Sequence, residues 1–371
     1  MIDESISRMK AELTAIDQGH LRRALELAEG GRGRVSPNPL VGAVIVRDGE
    51  AIGEGFHAEL GGLHAERAAL ADCGERGEDP AGATMYVTLE PCAHQGRQPP
   101  CVEAILEAGI GRVIIASEDP SEKAAGRGPG ILRDGGVEVD FASGAEATAA
   151  RRLNQPFRKH ARTGLPLVVL KMAMSLAGQT TTAPGDSPWI SGPQSRELVH
   201  RWRAEADAIA VGIGTVLADD PLLTARVEGA RQPKRVVFDS QARLPLDGRL
   251  LQTLDQAPVL VVVAPDAPAD RVAALKDAGA EVLVATDAEA ALRELGRREV
   301  TSLFLEGGKT LASAFLAAGQ LDESRTFIAP VLLGRQPEPD PAASSERVVA
   351  LESSTEAVGG DVLITARFKE W

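Results

Sequence analysis

A chain of 371 residues exceeds the roughly 250–300 at which single hydrophobic cores stop growing, so two domains are expected. Its composition, 44% hydrophobic and 25% charged, is that of an ordinary globular protein, and no apolar run nears the roughly 20 residues of a membrane span. A net charge of −13 with only 3% aromatic residues argues against a nucleic-acid partner, which is held by clustered Lys and Arg or by stacking rings.

The opening "MIDESISRMKAELTAIDQGH" has no apolar core of a signal peptide, and three cysteines make no disulfide framework. A reducing cytoplasm is the expected location. Leu21, Ala24, Leu25 and Ala28 recur at helical spacing and predict a helix over Gln18–Gly30. "NPLVGAVIVRDGEAIGEGF" predicts a β-hairpin turning at Asp48-Gly49. A helix over His64–Asp72, the buried strand "ATMYVTL" and a helix over Cys101–Ala108 follow, the last opened by Pro99-Pro100 and closed by Gly109. "RVIIAS" is the next strand. Strands alternating with helices predict a mostly parallel sheet covered on its faces.

Polar "RKHARTGLP", Arg158–Pro166, reads as the domain boundary. Beyond it strands are expected at Leu167–Met172, Ala208–Val211, Arg235–Phe238, Val259–Val263, Glu281–Val284, Ser302–Leu305, Arg325–Ile328 and Val362–Arg367. Helices are expected over Pro193–Ala204, Ala269–Ala278, Glu289–Leu295 and Lys309–Ala318, which makes a second α/β domain. "GRQPEPDPAASS" reads as a mobile loop.

Two of the three cysteines fall in "EPCAHQGRQPPC", Glu90–Cys101. A catalytic zinc keeps three protein ligands and one open position. His64, Cys92 and Cys101 supply such a set, and His64 and Cys101 each stand in the first turn of a predicted helix, where the dipole favours an anion. Glu66, two residues after His64, has no ligand role to fill and is placed to carry a proton. H-x-E followed by P-C and a second Cys is the pattern of zinc-dependent nucleobase deaminases. A structural zinc would need a fourth ligand, for which His94 is the candidate, but it would leave Glu66 unexplained. Cys73 reads as a small core residue.

Eight residues separate the two cysteines, where the deaminase pattern usually has two. "PCAHQGRQPPC" with "SPNPLVGAVIV" upstream resembles the deaminase half of the bifunctional riboflavin-biosynthesis deaminase/reductase family. The likeness runs through essentially the whole chain after residue 18. It implies a zinc-dependent pyrimidine deaminase domain over residues 1–162, cytidine-deaminase-like with three α/β/α layers. It implies an NADPH-dependent reductase domain over 163–371, with a dihydrofolate-reductase-like α/β fold. Substrate contacts carried over by motif are Asn38, Ala65 and Arg97 beside His64 and catalytic Glu66. A guanidinium at Arg97 also suits a phosphate on its own chemistry.

The second half carries "KMAMSL", "GDSPWIS", "TVLADDPLLTAR", "FDSQARLP", "EGGKTLASAFL" and "IAPVLLG" in the family's order. These imply NADPH contacts at Ala173, Trp189, Thr215, Asp219, Ser240 and the turn Gly308, Lys309, Thr310, Leu311, Ala312, Ser313 and Ala314. They imply substrate contacts at Ser187, Arg203, Leu223, Arg226 and Glu306. Read alone, Gly307-Gly308 before a helix is a place where backbone N–H groups can cradle a phosphate, "TVLADDPLLTAR" is a polar turn, and Trp189 could be a core anchor.

Six positions depart from the family's motifs. Ala93 and Gln98 sit in the cysteine loop. Ala177 and Gln179 stand where the family usually has Asp and Lys or Arg, and Ser121-Glu122 where it has Asn-Pro. The expected activity is hydrolytic deamination of 2,5-diamino-6-(5-phosphoribosylamino)pyrimidin-4(3H)-one, then NADPH-dependent reduction of the ribosyl to a ribityl chain. The alternative is a zinc deaminase of another base or nucleoside with a degenerate second domain. The family resemblance also implies a small-molecule partner and a homodimer or higher homo-oligomer.

Overall fold

Asp48 and Gly49 both take positive φ, 52° and 86°, the conformation that joins right-twisted strands through a two-residue turn. They connect β1 (Gly42–Arg47) to β2 (Glu50–Phe56), the hairpin expected from the sequence. The structure is a computed structural model, and it describes residues 13–95, 98–121, 125–180, 189–333 and 347–371. The "GRQPEPDPAASS" segment lies outside the described residues. The chain divides into two units. The first ends at Thr163 and also takes in Trp371; the second runs Gly164–Glu370.

In the first unit α1 (Ala15–Glu29) precedes the hairpin, and α2 (Ala65–Glu75), β3 (Thr84–Val87), α3 (Cys101–Glu107), β4 (Arg112–Ile115), α4 (Arg127–Asp134), β5 (Glu138–Phe141), α5 (Gly144–Leu153) and α6 (Gln155–Thr163) follow. The sheet order is β2-β1-β3-β4-β5, antiparallel in the hairpin and between β1 and β3, and parallel from β3 to β5. Alternate residues of each strand face opposite sides. Ala43, Ile45, Met85, Val87, Val113 and Ile115 pack with Ala69 of α2, Ile105 of α3 and Leu132 of α4. Val44, Val46, Tyr86 and Ile114 pack with Leu21 and Ala24 of α1 and Ala147 and Ala150 of α5. Both faces are covered, giving three α/β/α layers.

The division between the two units, Thr163 to Gly164, falls inside the polar stretch read as the boundary, and most of that stretch is helix. Helix α6 runs through Arg158 to Thr163, and Arg158 and Lys159 are each 1% exposed. Arg158 donates to Ser117 Oγ at 3.0 Å and to Glu118 Oε1 at 2.6 Å. Charge that looked solvated is a buried, hydrogen-bonded tie.

The second unit holds β6 (Leu167–Ser175), α7 (Pro193–Glu205), β7 (Ala208–Gly212), α8 (Ile213–Asp219), β8 (Lys234–Phe238), α9 (Arg249–Gln252), β9 (Val259–Val263), α10 (Ala269–Asp277), β10 (Glu281–Val284), α11 (Ala288–Arg297), β11 (Ser302–Leu305), α12 (Lys309–Ala317), β12 (Glu323–Ala329), β13 (Glu352–Val358) and β14 (Asp361–Arg367). Among the described residues the sheet order is β10-β9-β8-β7-β11-β6-β12-β14-β13. It is parallel as far as β12 and antiparallel beyond. Interior parallel strands are buried on both faces and read as continuous apolar runs; "VLVVV" of β9 is buried at every residue. Asp207 ties the starts of β7 and β11 together: its Oδ2 accepts from Thr301 N and Oγ1, both at 2.8 Å. That bond sets where the two strands end, beside Gly212 and Glu306.

Candidate functional site

Gly53 and Gly55 let α2 lie directly on β2. A Cβ on either would meet the backbone of Ala69, and on Gly55 that of Ala68 also. The first turn of α2 is thereby fixed at one end of the sheet. His64 is the N-cap of α2 and makes no capping hydrogen bond. Cys101 opens α3, and Cys92 lies in the loop after β3. Cys92 Sγ is 3.6 Å and Cys101 Sγ 3.4 Å from His64 Nδ1. The three donor atoms lie within 4.8 Å of one another. A sulfur and a nitrogen on one tetrahedral zinc stand about 3.6 Å apart, given bonds of about 2.3 and 2.0–2.1 Å. The set therefore fits zinc. Among the described residues no fourth ligand joins it, and His94 is exposed.

The electrostatics suit a cation. Hydrogen bonds from Cys101, and then from His64, pull the Cys92 thiol down to about 4. Cys101 is pushed up by the neighbouring Cys92 thiolate and by burial. The Cys101 N–H donates to Cys92 Sγ at 3.3 Å. Arg67 Nη2 donates to Pro100 O at 3.0 Å and fixes the turn before Cys101. Glu66, 4% exposed, is raised to about 7, chiefly by burial and then by the Cys92 charge.

Ala65 is fully buried at the start of α2. Asn38 sits near the metal set through a residue the sequence reading passed over. Its Nδ2 is 3.1 Å from His57 Nε2, and the His57 ring stands edge-on to His64 with centroids 5.4 Å apart. The available signal was a second histidine seven residues before His64. The two departures in the cysteine loop have local reasons. Ala93 packs on the core, and Gln98 Nε2 donates to Gly61 O at 3.1 Å, tying this loop to the one before α2. Ser121 donates its N–H to Asp119 Oδ1 at 2.8 Å. Arg97 and Glu122 lie outside the described residues. Cys73 is a core residue, with Sγ 3.5 Å from Glu78 O.

In the second unit the stretch read as a polar turn is half helix: α8 carries Thr215 and Asp219. Both α8 and α12 start from a glycine, Gly212 and Gly308, with no side-chain cap, and a Cβ on Gly308 would lie 4.0 Å from Thr215 Oγ1. Bare helix N–H groups at the ends of adjacent parallel strands suit the diphosphate of a dinucleotide. The Ala312 N–H already donates to Gly308 O. The free donors are therefore those of Gly308–Leu311, while Ala312 itself packs in the core and Ser313 and Ala314 stand further along the helix.

Arg203 and Glu306 form a fork-to-fork ion pair at 2.6 and 2.9 Å, and Arg203 Nη1 donates to Thr224 O at 3.2 Å. Leu223 holds φ at 55°, a left-handed conformation rare for a branched residue, and Arg226 beyond it is exposed. Lys171 of β6 was missed by sequence reading. Burial lowers its pKa, against the pull of the Glu306 charge beside it. Ala173 lies on β6, half-buried, and Ser240 is exposed just past β8. Trp189 is no core anchor: it is 60% exposed, with the Arg196 guanidinium 5.1 Å from its ring. Ser187 lies outside the described residues. Gln179 is buried in its own turn, accepting from Ser175 Oγ at 2.6 Å and donating to Leu333 O at 2.9 Å, whereas Ala177 is exposed.

Comparison with known proteins agrees with this geometry. Residues 14–117 match the cytidine and deoxycytidylate deaminase zinc-binding region, and residues 166–364 match the RibD C-terminal domain. The riboflavin biosynthesis protein RibD of Actinobacillus pleuropneumoniae is 40% identical over 363 residues, covering 95% of each chain. The chain belongs to the RibD family. The RibD of Escherichia coli K12 is also 40% identical, over 86% of this chain and 89% of its own. Among solved structures, Acinetobacter baumannii RibD superposes with a TM-score of 0.84 at 38% identity, over 96% of this chain and 99% of that one. The Thermotoga maritima diaminohydroxyphosphoribosylaminopyrimidine deaminase/5-amino-6-(5-phosphoribosylamino)uracil reductase does so at 0.83 and 35%, over 95% and 99%. As a RibD protein the chain is an enzyme of riboflavin biosynthesis with a deaminase and a reductase activity. Among its described residues no helix is long and apolar enough to cross a membrane.

Proposed function

We propose the following division of work between the two units of this bifunctional enzyme. The first deaminates 2,5-diamino-6-(5-phosphoribosylamino)pyrimidin-4(3H)-one, and the second reduces the ribosyl chain of the product with NADPH. The observation that carries the first assignment is a buried carboxyl, Glu66, two residues from one corner of an open His64–Cys92–Cys101 triangle. Those three residues would hold a zinc ion, which when bound lowers the pKa of water. Water adds to the amine-bearing ring carbon, the C–N bond breaks, and ammonia leaves a carbonyl behind. Glu66 takes the proton from the attacking water and gives it to the departing amine. Burial favours this, because a carboxyl raised towards neutrality can hold a proton or release it. Asn38 orients the pyrimidine, and Arg97 meets the phosphate.

In the second unit NADPH supplies the hydride when bound. Gly308–Leu311 and Thr215 receive its diphosphate, and Ala173, Trp189, Asp219 and Ser240 border the rest. Hydride reaches ribosyl C1, and with one proton the product gains two hydrogens. Among the described residues, the basic side chains of Lys171, Arg203 and Arg226 gather around the Glu306 carboxylate, an arrangement that suits the substrate phosphate. The family resemblance adds Leu223 and Ser187 to the substrate contacts. The bonds made by Gln179 support a turn that keeps its shape without the family's acid and base, so the reductase is expected to work. We also infer a cytoplasmic homodimer; light scattering at the 38.9 kDa of one chain would overturn the dimer.

Glu66→Gln is the decisive test. Zinc content, read by elemental analysis, should be unchanged, while ammonia release falls on the order of 10²–10⁴-fold. Persistent ammonia release would refute the role of Glu66. Mass spectrometry of the ribotide without NADPH should show amine exchanged for carbonyl, and with NADPH a further gain of two hydrogens. Deamination that stops there would point to a degenerate second unit.

A further inference from the structure

We propose that Gln232 is a positioning residue of the reductase, whose side-chain amide holds the segment Leu222–Arg226 in a strained shape on which substrate binding depends. The proposal rests on the reductase reading above, which places Leu223 and Arg226 at the substrate, and deepens it. Leu223 keeps φ at 55° although it is bulky and only 3% exposed. A side chain in that conformation crowds its own backbone, and such a residue persists only where its surroundings fix it. Among the described residues Leu223 makes no hydrogen bond of its own. The restraint therefore comes from its neighbours in the chain.

Those neighbours are pinned on both sides. Leu222 O accepts from Arg235 Nη1 at 3.3 Å, and Thr224 O accepts from Arg203 Nη1 at 3.2 Å. Ala225 is held twice by one group: its N–H donates to Gln232 Oε1 at 2.8 Å, and its carbonyl accepts from Gln232 Nε2 at 3.0 Å. The amide thus pairs with Ala225 as the facing residue of an antiparallel strand would. The two arginines have other partners as well. Arg203 is paired with Glu306, and Arg235, fully buried, also donates to Thr253 and Ala257. Among the described residues both hydrogen bonds of Gln232 go to Ala225. Gln232 is followed by Pro233 and then by β8, so its backbone is anchored to the sheet. Between Ala225 and Gln232 the chain doubles back, with Ala230 N–H donating to Val227 O at 3.2 Å. The clamp carries the frame of β8 to the loop, and through Thr224 O the same loop is joined to the Arg203–Glu306 pair. Without it, Leu223 is free to relax toward negative φ, and a rotation there swings Arg226 away from that pair.

The test uses the full chain, in which ammonia release by the first unit serves as an internal control. Gln232→Met keeps the length of the side chain and loses both bonds. Gln232→Glu keeps the acceptor for the Ala225 N–H and loses the donor. For Gln232→Met we expect KM for the deaminated ribotide to rise about tenfold with kcat changed less than about threefold, because a misplaced loop weakens binding of the substrate. Gln232→Glu should fall between Gln232→Met and wild type. Kd for NADPH and the rate of ammonia release should hold in both variants. An unchanged KM in a folded Gln232→Met would overturn the proposal. So would a loss shared by KM and the NADPH Kd, which would make Gln232 a general prop of the second unit. Should Gln232→Met fail to fold, hydrogen exchange of the wild type decides: the Ala225 amide, outside any helix or strand, should be protected, and free exchange there refutes the clamp. A wild type that transfers no hydrogen from NADPH to the ribotide would sink the reductase reading, and with it the role given to Gln232; protection at Ala225 would tell that failure from a failure of the clamp.

Discussion

Asp17 shows how much one carboxylate can hold. It accepts from Thr14 N at 2.9 Å, Thr14 Oγ1 at 2.7 Å and Tyr86 Oη at 2.7 Å, closing a capping box at the start of α1 and tying that helix to β3. Burial alone would raise its pKa, but these bonds hold it below the usual carboxylate range. A depressed folded pKa means stability that is complete above the unfolded value of about 3.9 and lost as pH falls through the folded one. Asp17→Asn should therefore cost about 1–2 kcal/mol at pH 7, and the gap to wild type should close below about pH 4. Urea titrations with a chelator present in both proteins would show it; a gap that does not change with pH would assign the effect to shape. At Arg203 the stakes are larger. Glu306→Gln leaves a half-buried guanidinium short of its counter-charge, and about 3 kcal/mol of stability should go with it. Replacing Arg203 as well should recover part of that loss, and a double-mutant cycle measures the coupling. Glu66, His64 and the two cysteines were legible because their spacing is tied to chemistry. His57 and Lys171 were not, since a lone histidine in a loop and a lone lysine in a strand carry no periodic signal; only the partners brought to them by the fold reveal a role.

Elements repeat that contrast. The Asp48-Gly49 hairpin, the apolar parallel strands and the Pro-opened α3 were readable because local backbone demands and burial pattern agree. The division at Thr163–Gly164 was readable where polar residues give way to Gly and Pro, but the helix α6 leading into it was not, because buried Arg158 and Lys159 look like solvent-facing charge in a sequence. Strand β13, "ESSTEAV", gave no alternation because nearly all of it is exposed at the sheet edge. The close approach of β2 to α2 makes a sharp prediction. Gly55→Ala puts a methyl into the backbone of Ala68 and Ala69 and should cost about 1–3 kcal/mol. Because α2 carries His64 and Glu66, zinc affinity should fall along with stability, which a chromophoric chelator competition would measure. Lost stability with zinc affinity intact would mean that the helix shifts as a rigid body.

At the scale of the whole molecule, both candidate sites lie past the carboxyl ends of parallel strands: the cysteine loop after β3, and Gly212 and Glu306 after β7 and β11. There, chain ends, helix starts and loops converge, and ligands of open α/β sheets bind at such ends. Each ligand should leave its own imprint. Removing zinc should speed hydrogen exchange in Ala65–Glu75 and Cys101–Glu107. Saturating NADPH should slow it at the start of α12. Because a ligand of the native state stabilises by mass action, NADPH at a hundred times its Kd should add about 2.7 kcal/mol to the unit that binds it. Protection by NADPH confined to the first unit would overturn the assignment.

His64 also has a bearing on how this sequence could drift. A helix start normally holds Ser, Thr, Asp or Asn, whose side chain caps the bare N–H groups; here the position is given to an imidazole that caps nothing. Folding and function thus ask for different residues at position 64. A screen for expression level or heat resistance in zinc-poor medium would reward His64→Asp or His64→Ser by up to about 1 kcal/mol and would deliver sturdier chains with a dead first unit. Libraries built from this chain should hold position 64 fixed, and any homologue with a conventional capping residue there is best read as having left the deaminase trade.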